Sequence, residues 1–343
     1  MPYVSLENPD TRLFATNDPR GFLSTYPQGA ILDEVQRVPE LFSYLQQTLD
    51  ETNKTGLFIL TGSNNFSLQE GISQSLAGRI GYLTLLPLTV SELDHLSPES
   101  LEATLFKGFY PPLYNQPIEP CLWFANYIRT YIERDVRQLR NISNLQLFER
   151  FVRLCAGRIG QLLNVNSLAL ECGIDQKTAS GWLSILESSY LIFRLPPYHQ
   201  NFNKRLTKMT KLYFHDVGLA CALLGIQELS QLTHHPLKEA LFENLCISEV
   251  MKIRQNKLQD KGMYFWRTHV GHEIDLLIEQ AHDLLAIEIK SGQTLKSEAF
   301  KGLEFWNQLT GSMGGLLVYS GSETQKRSSG ISVTPWQQLD SYL

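Results

Sequence analysis

The chain has 343 residues, 43% hydrophobic and 19% charged, so it is globular, long enough for two or three domains and able to bury real cores. Thirty basic against 35 acidic residues give a net charge of -5, which excludes a uniformly basic nucleic-acid binder and makes charge a matter of individual segments. Five scattered cysteines without any C-x-x-C indicate neither a disulfide framework nor a zinc site, and no apolar run approaches the ~20 residues of a membrane span, so a soluble cytoplasmic α/β protein is expected.

In chain order, residues 3–6 read as a short strand, and Asn8-Pro9-Asp10 as a turn and cap leading into a helix over 11–16. Ala30-Ile31-Leu32-Asp33-Glu34 has the form of a Walker B strand. An apolar strand of this kind delivers two adjacent carboxylates to the rim of a parallel sheet, Asp33 to hold Mg²⁺ and Glu34 to orient an attacking water. The plainer alternative is a strand-to-helix loop with a capping acid. A helix over 39–49 follows, with Leu41, Phe42, Leu45 and Leu49 at helical period. Residues 57–64 then read as a second buried strand, whose polar tip, Ser63 and Asn64, is expected to lie beside the first and face a γ-phosphate. A phosphate cradle requires G-x-x-x-x-G-K-[ST], and no glycine in this chain is followed by lysine. The chain thus carries one half of a nucleotide site. The apolar run over 82–86 is expected to be the next strand.

These blocks, together with Ser75-Leu76-Ala77-Gly78-Arg79 and Leu86-Pro87-Leu88, carry a resemblance that spans almost the whole chain. It resembles the bacterial and archaeal AAA-type ATPases that bear a C-terminal domain of unknown function with a restriction-endonuclease-like fold. The resemblance implies ATP as cofactor, Mg²⁺ coordination and water activation by Asp33 and Glu34, and phosphate sensing by Ser63 or Asn64. Arg79 is then a nucleotide-sensing arginine, or else a surface helix cap or the partner in a salt bridge. That family has a P-loop strand and helix before the point where this chain starts. The natural protein is therefore expected to be longer, with Met1 a misplaced start or a fragment boundary, and this form to bind ATP weakly or not at all.

Residues 122–139 are expected to form an amphipathic helix with the block Glu133-Arg134-Asp135-Val136, which recurs in the related family and to which no chemistry is assigned. Residues 147–216 read as a winged helix-turn-helix, with helices over 167–172 and 176–189 and strands over 191–195 and 211–214 flanking a hairpin that holds Lys204, Arg205 and Lys208. Between Phe151 and His215 there are eight basic residues against three acidic, opposite in sign to the chain as a whole. The three hairpin cations fit phosphate contacts to DNA, and a protein-docking module is the equal alternative.

At the C-terminal end a helix over 236–255, with Glu243 and Glu249, precedes strands over 263–266, 271–278 and 284–290. Strand alternation puts Glu288 and Lys290 on one face, where Asp275 on the adjoining strand meets them. Asp275 and Glu288 are the expected Mg²⁺ ligands, with Glu243 as a further one, and Lys290 steadies the water or the developing negative charge. The alternative is a cross-strand ion pair on an exposed sheet face. This set resembles the PD-(D/E)xK nuclease superfamily, whose core runs helix-Glu, strand, Asp strand, E-x-K strand, helix, strand. His269 and His272 are read as loop residues.

The expected organisation is a partial AAA-type ATPase domain (1–95), a helical linker (96–145), a winged helix-turn-helix (146–228) and a nuclease-like α/β domain (229–343). The function expected is that of an ATPase-family, DNA-associated protein with Mg²⁺-dependent phosphodiester hydrolysis. The alternative is a non-catalytic regulatory or interaction protein, acting as a homo-oligomer or on a partner protein.

Overall fold

The computed structural model describes residues 1–52, 54–62, 76, 78–93, 100–131, 142, 144–199, 209–259, 261–280 and 283–343. They form two compact units, Met1–Tyr82 and Leu83–Leu343, of mixed α/β structure.

In the first unit three parallel strands, β1 (Tyr3–Ser5), β2 (Ala30–Asp33) and β3 (Phe58–Leu60), lie in the order β1-β2-β3. Asn8 starts the helix Pro9–Asn17 by accepting the backbone N–H groups of Asp10 and Thr11, with Pro9 in the first turn where its missing N–H costs nothing. The helix Leu41–Thr52 buries Leu41, Phe42 and Leu45 against Leu6, Phe22, Leu32 and Val35. Gly29, at φ +86°, is required on two counts: the left-handed backbone, and a Cβ there would strike the Leu57 carbonyl, which accepts from Ala30 N–H at 3.1 Å.

The run over 82–86 is not a strand, contrary to the sequence expectation. Leu83 and Leu85 are 79% and 92% exposed. Apolar composition makes a strand only where a neighbour offers ladder N–H and C=O groups, and no ladder partner meets this run among the described residues.

In the second unit a six-stranded mixed sheet has the order β10-β11-β9-β8-β7-β6. Its strands are β6 (Met263–Arg267), β7 (Glu273–Gln280), β8 (Asp283–Lys290), β9 (Gly315–Tyr319), β10 (Gln325–Lys326) and β11 (Ile331–Pro335). β6, β7 and β8 form an antiparallel meander, and β8, β9 and β11 run parallel, β9 being reached through the helix Lys301–Thr310. A two-stranded antiparallel ribbon, β4 (Ile192–Leu195) with β5 (Lys211–Phe214), follows the helices Val165–Cys172 and Gln176–Ser188. The helix Lys238–Asn256 covers one face of the large sheet and Lys301–Thr310 the other, so neither face is open. One core runs without a break from Phe109 and Phe124 through Phe148, Trp182 and Tyr213 to Leu245, Phe265 and Ile287. The divisions expected at 145/146 and 228/229 both lie in the unit Leu83–Leu343.

A buried ionic tie fixes Leu88, Val90 and Phe109 within this unit. Lys252, 1% exposed, donates to the Leu88 carbonyl at 2.7 Å, lies 2.7 Å from Glu249 and stands over the Phe109 ring; Glu249 accepts the Val90 N–H at 2.7 Å. Charges this deep are retained only when compensated: the two residues pair with each other and each makes one hydrogen bond to backbone, while Glu249 Oε2 meets the Lys252 charge without a hydrogen bond among the described residues. The block 133–136, the hairpin cations and the strand tip at 63–64 lie outside the described residues.

Candidate functional site

Two groups of carboxylates occur where strands end. The larger lies on the six-stranded sheet. β7 and β8 pair with Leu276 opposite Ile287, and continuing that register by one residue sets Asp275 opposite Glu288. On its other side β7 is bulged: Tyr264 pairs with Leu277 and Trp266 with Ile274, so Phe265 faces both Asp275 and Leu276. A bulge re-aims a side chain, and Asp275 uses this to accept the Ile289 N–H at 2.8 Å. Its carboxylate is thereby held against β8.

Glu288 and Lys290 share a face, with Lys290 Nζ 2.6 Å from Glu288 Oε1 and 4.0 Å from Asp275 Oδ2. Glu288 is 8% exposed, and its second oxygen, Oε2, is buried without a hydrogen-bond partner among the described residues. The approaching helix leaves room for it only because residue 302 is glycine: a Cβ there would stand 2.9 Å from Oε2. Burial, and then the charge of Asp275, push the Glu288 carboxyl up to about 8, with Lys290 opposing both. For Lys290, burial works against the charged form, and Asp275 and Glu288 outweigh it to raise its pKa.

Glu243, from the helix Lys238–Asn256, is held differently. Its Oε1 accepts Lys211 Nζ at 2.9 Å and Tyr213 O–H at 2.5 Å, both from β5. Lys211, 3% exposed, also lies 2.5 Å from Glu273, which Arg267 meets at 3.0 Å. Burial raises the Glu243 pKa and Lys211 offsets part of that; Lys211 itself, despite burial, is kept charged by Glu243, Asp275 and Glu273. Sequence reasoning missed Lys211, Tyr213 and Glu273. The available signal was a lysine heading the apolar strand Lys211-Leu212-Tyr213-Phe214. Lys211 belongs to the basic surplus of its segment, but it is interior. Others in that surplus are also paired within the chain: Arg194 with Glu187 at 2.6 Å, Arg153 with Glu149 at 2.9 Å, and Arg158 with Glu171.

No three His, Cys, Asp or Glu side chains among the described residues stand as a ready-formed metal cluster. The donors that suit a hard divalent cation are the oxygens of Asp275 and Glu288, including the unpartnered Oε2. His272 stacks on Phe305 at 3.8 Å, before β7 begins, and no bond links it to the cluster. A cavity of about 650 Å³ opens one residue beyond Lys290, at the carboxyl ends of β8 and β9, lined by Ser291, Gln293, Thr294 and Ser320. Carboxyl ends of parallel strands are the usual place for ligands in such sheets.

The smaller group is on the first unit. Asp33, at the carboxyl end of β2, accepts Thr61 O–H at 2.5 Å, Tyr3 O–H at 2.7 Å and Ser5 O–H at 3.3 Å. These bonds, Thr61 foremost, hold its carboxyl below the usual range. Glu34 takes a left-handed backbone, φ 56°, and its carboxylate accepts from Gln36 at 2.7 Å and lies 3.9 Å from Arg37. Arg79 is not brought to this rim. It pairs with Asp50 at 2.7 Å and lines a cavity of about 530 Å³ beside Gly56, Leu57 and Phe58, where β3 begins and hence at the opposite end of the sheet.

Residues 1–94 match the family model described as an AAA domain, and residues 98–230 and 238–339 match two models described as domains of unknown function (DUF8612 and DUF4143). Uncharacterized protein Rv2008c of Mycobacterium tuberculosis and uncharacterized protein Mb2031c of Mycobacterium bovis are each 30% identical to the chain over 279 residues, 81% of this chain and 62% of the relative. Uncharacterized protein MJ1637 of Methanocaldococcus jannaschii is 30% identical over 230 residues, 56% of this chain and 47% of that protein. The chain thus spans less than two thirds of the length of each of these relatives.

Proposed function

From an N-terminal AAA domain and a C-terminal domain of unknown function, which together support an AAA-type, ATPase-like family, we propose that the chain is a DNA-associated member whose C-terminal site hydrolyses phosphodiester bonds with Mg²⁺. The observation that carries this reading is the set Asp275, Glu288 and Lys290, with one lysine ammonium 2.6 Å and 4.0 Å from two carboxylates and a buried, unpartnered Glu288 oxygen. The order helix with Glu243, β6, β7 with Asp275, β8 with Glu288 and Lys290, helix, β9 supports it as well.

Asp275 and Glu288 are the residues that would hold Mg²⁺, which when bound supplies Lewis acidity toward a phosphoryl oxygen and acidifies water. The chain's own contributions are distinct. The Ile289 N–H fixes the Asp275 carboxylate, Gly302 keeps space at Glu288, and the Lys290 ammonium, 38% exposed, places a positive charge where negative charge develops on phosphate oxygens. In the first unit, Asp33 and Glu34 supply the acidic half of a nucleotide site, with Asp33 oriented by Thr61, Tyr3 and Ser5.

The test is incubation with supercoiled plasmid and Mg²⁺ or Mn²⁺. Nicking by the wild type that falls by a factor of about 100 or more in Lys290→Ala and Glu288→Ala is expected; no nicking with either ion refutes hydrolysis. The direct pairing of Lys290 with Glu288 favours a second reading, in which the cluster is a structural ion-pair network in a regulatory or interaction protein. DNA retention without nicking would select that reading.

A further inference from the structure

The four carboxylates Glu243, Glu273, Asp275 and Glu288 are not equivalent. Glu243 and Glu273 already have cations: Lys211 lies 2.9 Å from one and 2.5 Å from the other, Arg267 meets Glu273 at 3.0 Å, and Tyr213 donates to the same Glu243 oxygen as Lys211. Asp275 and Glu288 pair within 4 Å with Lys290, which is partly exposed; Lys211 acts on Asp275 by charge without a close ion pair, and Glu288 Oε2 has no hydrogen-bond partner among the described residues. One half of the cluster is saturated by the protein, and the other is open.

We propose that Lys211 is a built-in counter-cation that occupies the Glu243–Glu273 half of the site, so that the cluster accepts one divalent cation, at Asp275 and Glu288, and no second. This rests on the metal-site reading above and deepens it. Two-metal phosphodiester sites place their ions about 4 Å apart and need carboxylates for both. Here an ammonium stands where the second ion's ligands would be. Expelling it would strand a lysine that is 3% exposed and break its two ion pairs, and leaving a buried charge uncompensated is among the costliest changes a fold can undergo. Glu243 is then a positioning residue held by Lys211 and Tyr213, not a metal ligand.

The arrangement also makes the site composite. Lys211 and Tyr213 belong to β5, within the segment 98–230, whereas the carboxylates belong to the segment 238–339. Gly160, in the same upstream segment, brings its backbone to the Glu243 carboxylate, where a Cβ would be 3.5 Å from Oε2. The middle segment therefore supplies part of the cluster's charge, and its presence decides how many metal ions the C-terminal segment binds.

The experiment is Mn²⁺ titration of the full chain, read as free Mn²⁺ by electron paramagnetic resonance and as heat by calorimetry, with circular dichroism to confirm folding. The wild type is expected to bind one Mn²⁺, weakened at least tenfold in Asp275→Asn and Glu288→Gln and changed by less than about twofold in Glu243→Gln. Lys211→Met should admit a second Mn²⁺ or tighten binding at least tenfold, and Lys211→Arg should keep the wild-type stoichiometry. One Mn²⁺ at unchanged affinity in folded Lys211→Met overturns the proposal and leaves the Asp275–Glu288 site standing; loss of Mn²⁺ binding in Glu243→Gln also overturns it, by making Glu243 a further ligand of the same ion. If Lys211→Met does not fold, Glu243→Gln decides alone. Absence of Mn²⁺ binding in wild type and Lys211→Met alike refutes the metal site itself.

Discussion

Lowering the pH from 7 to 5 is expected to cost the unit Leu83–Leu343 about 2 kcal/mol through His215 alone, and His215→Phe should remove that cost. His215 follows β5, is 6% exposed, packs against Phe193 at 4.9 Å between ring centres, and has a buried Nδ1 without a hydrogen-bond partner among the described residues. Burial, with the Lys252 charge adding to it, lowers its pKa to about 3. A histidine depressed in the folded state stabilises fully above its unfolded pKa of about 6.5, and that stability is lost as pH falls, because only the unfolded chain takes the proton. At pH 5, about 1.5 units below the unfolded value, each unit is worth about 1.4 kcal/mol, which gives the figure above. Asp216, pushed up to about 6, and Glu288, pushed up to about 8, act in the opposite sense. Both remain in the variant, so the quantity to read is the change, between pH 7 and pH 5, in the stability difference between His215→Phe and wild type. All five tryptophans lie in Leu83–Leu343, so urea unfolding followed by tryptophan fluorescence reports this unit alone. A difference that shifts by less than about 0.5 kcal/mol between the two pH values would refute a buried neutral histidine.

Lys252→Met, which leaves Glu249 buried beside the Leu88 and Val90 backbone, should destabilise the same unit by about 3 to 5 kcal/mol, read by the same fluorescence titration; a loss below about 1 kcal/mol would show the pair to be solvated. Asp33→Ala removes the acceptor of Thr61, Tyr3 and Ser5 and should lower the stability of the first unit by about 1 to 3 kcal/mol, measured by calorimetry. Because the Asp33 pKa is lowered by folding, the wild-type advantage should vanish as pH falls through and below the ordinary aspartate range, and an advantage that persists at pH 2 would contradict the assignment. Neutralising Lys204, Arg205 and Lys208 together should flatten the salt dependence of DNA binding by about one unit for each phosphate no longer neutralised, whereas unchanged affinity would move that segment to protein docking.

Much of the architecture was legible because it is local. Period-two alternation placed Glu288 and Lys290 on one face, helical period identified Leu41, Phe42 and Leu45 as the inward side of their helix, and the cap chemistry of Asn8 located a helix start. The acid-tipped strand β2 and its parallel neighbour β3 were visible for the same reason. The tertiary structure alone decided which partners those residues meet. Nothing within a few residues of Lys211 announces that its ammonium lies between Glu243 and Glu273, 32 and 62 positions away, and the bulge that aims Asp275 at Ile289 arises from the register with β6. The pairing of Arg79 with Asp50, 29 positions away at 2.7 Å, is likewise set by the fold. The run over 82–86 shows the converse: its composition suits a strand, yet a strand is made by its neighbour. Propensity and periodicity are properties of short stretches of chain, whereas ion pairing, burial and ladder formation depend on which distant residues the fold brings within a few ångströms.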